Sequence, residues 1–166
     1  MIRHLSHRLL LEFFLNFSQF EYALKASGYF QRANSIRQNR PGPPDAMPDW
    51  RHFGEALRKV FQIDRNEELQ KACQYMLDNP PRKQVIVNDS AAWETPVRSH
   101  HESDVEFLLR MVRCVRNNLF HGGKHNNELH EDTQRTELLL RSGLVILHEC
   151  LRLAPQVKLK FDQAVI

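Results

Sequence analysis

Apolar residues recur at helical spacing in five stretches of this chain. In the first, Leu9, Phe13, Phe17, Phe20 and Leu24 follow i, i+4, i+8, i+11 and i+15, and Ser27 continues the series. That is the stripe of an amphipathic helix. Phe14, Tyr22 and Tyr29 widen it, so the spacing predicts a helix over about residues 5–38, buried over much of its circumference. Gly28 would bend this helix or permit close packing. The run Arg40-Pro-Gly-Pro-Pro-Asp, with Pro48 after it, cannot continue a helix and predicts a loop. Asp49 is then the expected N-cap of a second helix, with Trp50, Phe53, Leu57, Val60 and Phe61 facing inward. Asn66-Glu-Glu-Leu opens a third, whose apolar side is Leu69, Cys73, Met76 and Leu77, and Asn79-Pro80-Pro81 stops it.

Residues 82–103 have no helical period. Gln84-Val-Ile-Val is β-like, so this part reads as a loop with at most a short strand. A fourth helix is expected from a Ser103 or Asp104 cap to about His121, closed by Gly122-Gly123. After a polar turn over residues 124–127, a fifth runs from about 128 to 153, and Pro155 ends it. The expected architecture is a single domain over residues 1–166, all-α, an up-and-down bundle of about five helices.

The fourth helix carries the densest chemistry. Val105, Leu108, Val112, Val115 and Leu119 form its apolar stripe. Glu106, Arg110, Arg113, Asn117 and His121 form a second, polar stripe at i, i+4, i+7, i+11 and i+15. Glu106 and Arg110 are spaced for an i, i+4 ion pair. Arg116 lies about 100° from Asn117, near Leu109, Val112 and Phe120, at the margin of the apolar side. A charge there is partly desolvated and needs partners. The plain reading of the polar stripe is a solvated face, with His121 complementing the helix dipole.

Composition narrows the field. The chain has 166 residues, 26% charged and 42% hydrophobic, with 6 Gly and 8 Pro, which suits one folded domain and not a disordered or collagen-like chain. The stretch from Leu9 to Phe20 contains Glu12, Asn16, Ser18 and Gln19, so it falls short of the ~20 apolar residues of a membrane span and does not read as a signal peptide. Cys73, Cys114 and Cys150 are widely spaced with no CxxC pair. They point away from a disulfide framework or zinc ribbon and toward a reducing cytoplasm. Net charge is +3. Residues 1–40 carry six Lys or Arg against two Glu, a mild pull toward anionic partners. His100-His101-Glu102, with His121, His125 or His130, lacks metal-site spacing and reads as loop histidines, so no metal and no cofactor are expected. Cys114 reads as a small core residue, Trp50 as part of an apolar face, and Trp93, in the irregular segment, as the better candidate for stacking a base.

The run Arg116-Asn-Asn-Leu-Phe-His121-Gly-Gly-Lys124 resembles the signature of the HEPN superfamily: Arg, four to six residues, then His, often with Asn directly after the Arg, near the end of a helix. The penultimate place of this helix and the run Phe17-Ser-Gln-Phe20-Glu21-Tyr-Ala-Leu24-Lys25-Ala-Ser-Gly28 resemble the family too. The resemblance implies a metal-independent endoribonuclease of toxin–antitoxin or anti-phage defence systems, with RNA as substrate and an antitoxin or other neutralising protein as partner. His121 would be the general acid or base, since imidazole titrates near neutral pH. Arg116 would clamp the phosphate with two parallel donors. Asn117 would orient the imidazole or the phosphate. Lys124, Arg113 and Arg110 would hold the RNA backbone.

Arg116 and His121 are five residues apart, roughly 140° around a regular helix, so one motif copy does not make a compact site. In the family two motifs meet across a dimer, and a nuclease reading therefore implies a homodimer. In one toxin branch a Tyr two residues after the His is modified by its antitoxin; here Gly123 stands there, which removes that route. Two other readings keep the same residues: an RNA- or nucleotide-binding module without catalysis, and a helical subunit in which Arg116 and His121 form a buried polar pair.

Overall fold

In a computed structural model of the chain, residues 5–33, 42–120 and 129–164 are described. Among them are six helices: α1 (His7–Ala26), α2 (Trp50–Leu57), α3 (Glu67–Asp78), α4 (Asp104–Phe120), α5 (Leu129–Leu153) and α6 (Pro155–Gln163). Four short strands accompany them: β1 (Phe30–Arg32), β2 (Ala46–Pro48), β3 (Lys83–Val87) and β4 (Ser90–Glu94). The fold is mostly helical, and the purely all-α expectation is corrected by two antiparallel strand pairs, β1–β2 and β3–β4.

Local chemistry sets the helix ends. The side chains of Ser6, Asp49 and Asn66 accept hydrogen bonds from the backbone N–H groups of Leu9, His52 and Leu69 at 3.4, 3.0 and 2.8 Å, each filling one of the orphan donors of a first helical turn. α1 stops at Ala26, well short of the expected end near 38. Gly28 takes φ +90°, its N–H donates to Lys25 O, and Tyr29 N–H donates to Leu24 O at 2.9 Å. This is the Schellman arrangement, which needs a residue tolerant of the left-handed region, so Gly28 terminates the helix and does not bend it. The rest of the expected first helix beyond 33 lies outside the described residues.

Phe14 and Tyr22 are exposed, which corrects the broad stripe expected of α1. The narrower one holds: Leu9, Phe13, Phe17, Phe20 and Leu24 are buried. Val60, expected to face inward, lies beyond the end of α2 and is exposed. Pro155 ends α5 and also begins α6, the sixth helix that the periodicity did not predict. Proline suits a first helical position, where its missing N–H is no loss.

The core draws on all six helices. Trp50 from α2 stacks on Phe17 and Phe20 of α1, each with centroids 5.2 Å apart. Two glycines allow close approach. A Cβ on Gly143 would lie 2.9 Å from Phe13 Cε2, and one on Gly54 would lie 2.8 Å from Glu106 Cγ. α2 thereby seats directly on the first turn of α4. Among the described residues, no helix is long and apolar enough to cross a membrane.

Candidate nucleic-acid interface

The apolar stripe of α4 enters the core as expected: Val105, Leu108, Val112 and Val115 are buried. The start of the helix is built by a capping box. Glu106 N–H donates to Ser103 Oγ at 3.4 Å, and Ser103 N–H donates to the Glu106 carboxylate at 2.9 Å; the Ser103 hydroxyl donates to the same carboxylate. Arg58, at the end of α2, completes the shell of Glu106 with donor distances of 2.9–3.1 Å. Burial by itself would raise the Glu106 pKa, but the hydrogen bonds from Arg58 and Ser103 outweigh it and hold the carboxyl below its ordinary range.

Glu106 is therefore engaged elsewhere, and the expected Glu106–Arg110 pair is corrected. Arg110 instead grips Glu102 with two donors, both at 2.8 Å, and donates to Val97 O at 2.9 Å. These bonds pull the Glu102 pKa down. One turn on, the Arg113 guanidinium sits 6.0 Å from the Trp50 ring centroid. Desolvation lowers its pKa, with Glu21 acting against this and Arg110 adding to it; a guanidinium so shifted still carries its charge at neutral pH. Arg113 makes no ion pair among the described residues.

Arg116 lies half-buried at the edge of the apolar side. Its guanidinium is 5.7 Å from the Phe17 ring centroid, and Nη1 donates to Asn117 Oδ1 at 3.1 Å. Asn117 itself is exposed. The structure thus brings Arg110, Arg113, Arg116 and Asn117 onto one stretch of helix. His121 and Lys124 lie outside the described residues, as does the Gly122-Gly123 helix stop.

The irregular segment is a second correction. Residues 83–94 form a β-hairpin in which Val87 pairs with Ser90 and Gln84 with Trp93. Asn88 and Asp89 make its two-residue turn with φ of 49° and 59°, the two left-handed positions of a type I′ turn. Asn and Asp tolerate that region better than other non-glycine residues. α4 anchors the base of the hairpin. Asn118 Nδ2 donates to Arg82 O at 2.8 Å, and the Cys114 thiol points to the same oxygen at 3.4 Å. From α5, Arg135 donates to Pro80 O at 2.8 Å. Burial raises the Cys114 pKa, which suits this anchoring role and not that of a nucleophile.

Between hairpin and helix lies a groove of about 470 Å³ lined by Lys83, Gln84, Trp93, Pro96, Arg110, Met111, Arg113, Cys114, Asn117 and Asn118. On the other side of Arg110 and Arg113 is a second cavity of about 370 Å³, whose walls include Trp50, Arg58, His101, Glu55, Glu102 and Glu106. Sequence reasoning singled out the arginines and Trp93 but missed Lys83 and Gln84, which only strand pairing brings to the groove. Among the described residues, no group of three His, Cys, Asp or Glu stands together as a metal site; Glu102, beside His100 and His101, is taken by Arg110. No protein-family model, curated protein or solved structure matches this chain.

Proposed function

We propose that this chain is a HEPN-type, metal-independent endoribonuclease that acts as a homodimer in the cytoplasm, in a toxin–antitoxin or anti-phage defence system. The observation that carries the reading is the setting of Arg116. It is half-buried against Phe17, bonded to Asn117, and one or two turns from Arg110 and Arg113 on the same helix. Partial exclusion of water strengthens the action of such a charge on a phosphate. In this reading the RNA 2′-oxygen attacks the adjacent phosphorus and the bond to the 5′-oxygen breaks. His121 of one copy takes the 2′-hydroxyl proton and His121 of the other returns a proton to the leaving oxygen. Arg116 stabilises the phosphorane. The products are a 2′,3′-cyclic phosphate and a 5′-hydroxyl.

A second reading, a module that binds RNA or a nucleotide without cutting it, is favoured by the groove alone, whose Lys83, Trp93 and Arg113 need no histidine to act. Incubating purified protein with RNA in EDTA separates the two. The nuclease reading expects cleavage that leaves a 2′,3′-cyclic end, spares DNA, and disappears in His121→Ala with helical content unchanged. Cleavage of a 2′-deoxy substrate, or cleavage only with added metal, contradicts it.

A further inference from the structure

We propose that the groove between the β3–β4 hairpin and α4 binds unpaired nucleotides of RNA, with Trp93 stacking a base and Lys83 and Arg113 holding the neighbouring phosphates. The proposal rests on the nuclease reading for its choice of RNA and extends it to a substrate form, single-stranded as against duplex.

The two tryptophans of the chain have opposite settings. Trp50 is 4% exposed and packed between aromatic rings of the core, whereas Trp93 is 42% exposed on a strand that projects from it. An indole held open at the wall of a groove is a stacking platform, and stacking tolerates any base. Among the described residues, the groove's lining contains three cationic side chains and no carboxylate. Glu102 already pairs with Arg110, whereas Lys83 and Arg113 form no ion pair among the described residues. With Glu94 across the ladder from Lys83 and Glu21 acting on Arg113 at a distance, these two are the cations that phosphates would meet. Gln84, directly across the ladder from Trp93, sets an amide beside the ring, within the reach of a stacked base's edge.

The groove also leads to the motif. Asn117 is both part of its wall and the hydrogen-bond partner of Arg116, so a strand lying along the groove brings a phosphate to the helix turn that holds Arg116. Its volume of about 470 Å³ falls within the roughly 300–1,000 Å³ of small-ligand sites, the scale of a nucleotide or two. The anchors from Cys114, Asn118 and Arg110 to Arg82 and Val97 hold the hairpin wall against α4, which makes the site preformed.

The test is a titration of protein into a short, dye-labelled single-stranded RNA, fully 2′-O-methylated so that it lacks the attacking hydroxyl and reports binding alone. Anisotropy of the dye gives the affinity of wild type and of each variant, and tryptophan fluorescence is followed in parallel. Wild type should bind with quenching that Trp93→Phe removes. Trp93→Ala should weaken binding about five- to a hundredfold, the worth of one stacked base. Trp93→Phe, which keeps a ring, should recover most of the affinity. A duplex of the same sequence should bind at least about tenfold more weakly. Failure of wild type to bind, wild-type affinity in Trp93→Ala, equal loss in Trp93→Phe, or equal binding of the duplex overturns the proposal. Parallel cleavage of the unmodified strand in EDTA keeps the two claims apart. Trp93-dependent binding without cleavage overturns the nuclease and leaves the groove. Cleavage unaffected by Trp93→Ala overturns the groove and leaves the nuclease.

Discussion

The two cavities that share the Arg110–Arg113 stretch of α4 differ in what their other walls carry. One counts Glu55, Glu102 and Glu106 among its walls, and there Arg58 and Arg110 are used up by carboxylates at 2.8–3.1 Å. The other is lined by Lys83, Trp93 and Asn117, with no carboxylate among the described residues. The same helix therefore spends its charges in two ways. On the first side they build structure: a capping box, a clamp between α2 and α4, and a tie to the segment before α4. On the second they leave positive charge for an anion. The number of arginines on a helix face says little about nucleic-acid binding until their partners are known.

The largest effect expected from breaking this division lies on the carboxylate side. Glu106→Ala removes the carboxylate half of the capping box and the anchor of Arg58, while the backbone N–H of residue 106 still donates to Ser103 Oγ. Loss of the carboxylate's bonds to Ser103 and Arg58 should cost about 1 kcal/mol of folding stability or more, seen as a lower urea midpoint, with RNA affinity unchanged. The pH dependence has a definite sign. The Glu106 pKa is lowered in the folded protein from an ordinary 4.5. Its contribution is then present above that value and lost as pH falls through the folded one, so the gap between Glu106→Ala and wild type should narrow in acid. A gap that widens in acid, or a variant that loses RNA binding, would dissolve the contrast.

Smaller effects are expected in the shared wall, and they sharpen the comparison. Arg113→Ala should weaken RNA binding several-fold and reduce the salt slope by about one. Arg110→Ala should do less, because it removes a charge that Glu102 already balances. Glu102→Gln leaves Arg110 in place without its counter-charge and should tighten binding at low salt by about two- to threefold. Measured binding isotherms at several salt concentrations check all three, and the reverse order of Arg110 and Arg113 would show that the pairing seen here does not govern recognition.

How much of this was legible in the sequence follows from the range of the forces involved. The caps at Asp49, Asn66 and Ser103 act within three residues, so their spacing was readable. The core stripes of α1 and α4 were readable for the same reason. The end of α1 was not, because Tyr29 extends the apolar period past Gly28 while its backbone N–H has already closed the helix on Leu24. The β3–β4 hairpin went unread because its turn is Asn88-Asp89, without the glycine that usually marks such turns. The partner of Glu106 was invisible to any local rule: Arg58 lies 48 residues away, and only the close seating of α2 at Gly54 brings it near. In the groove, Arg110, Arg113, Asn117 and Trp93 were candidates from sequence, whereas Lys83 and Gln84 depend on strand register.

The central claim, that Arg116 acts on the scissile phosphate while its neighbours serve binding or structure, is tested most directly by Arg116→Lys in single-turnover cleavage with a parallel binding measurement. Lysine keeps the charge and loses the planar pair of donors. The account predicts a rate reduced about a hundredfold with the dissociation constant for RNA changed less than about twofold, because the lost bonds matter most at the transition state. Wild-type cleavage by Arg116→Lys, or a loss confined to affinity, would contradict it.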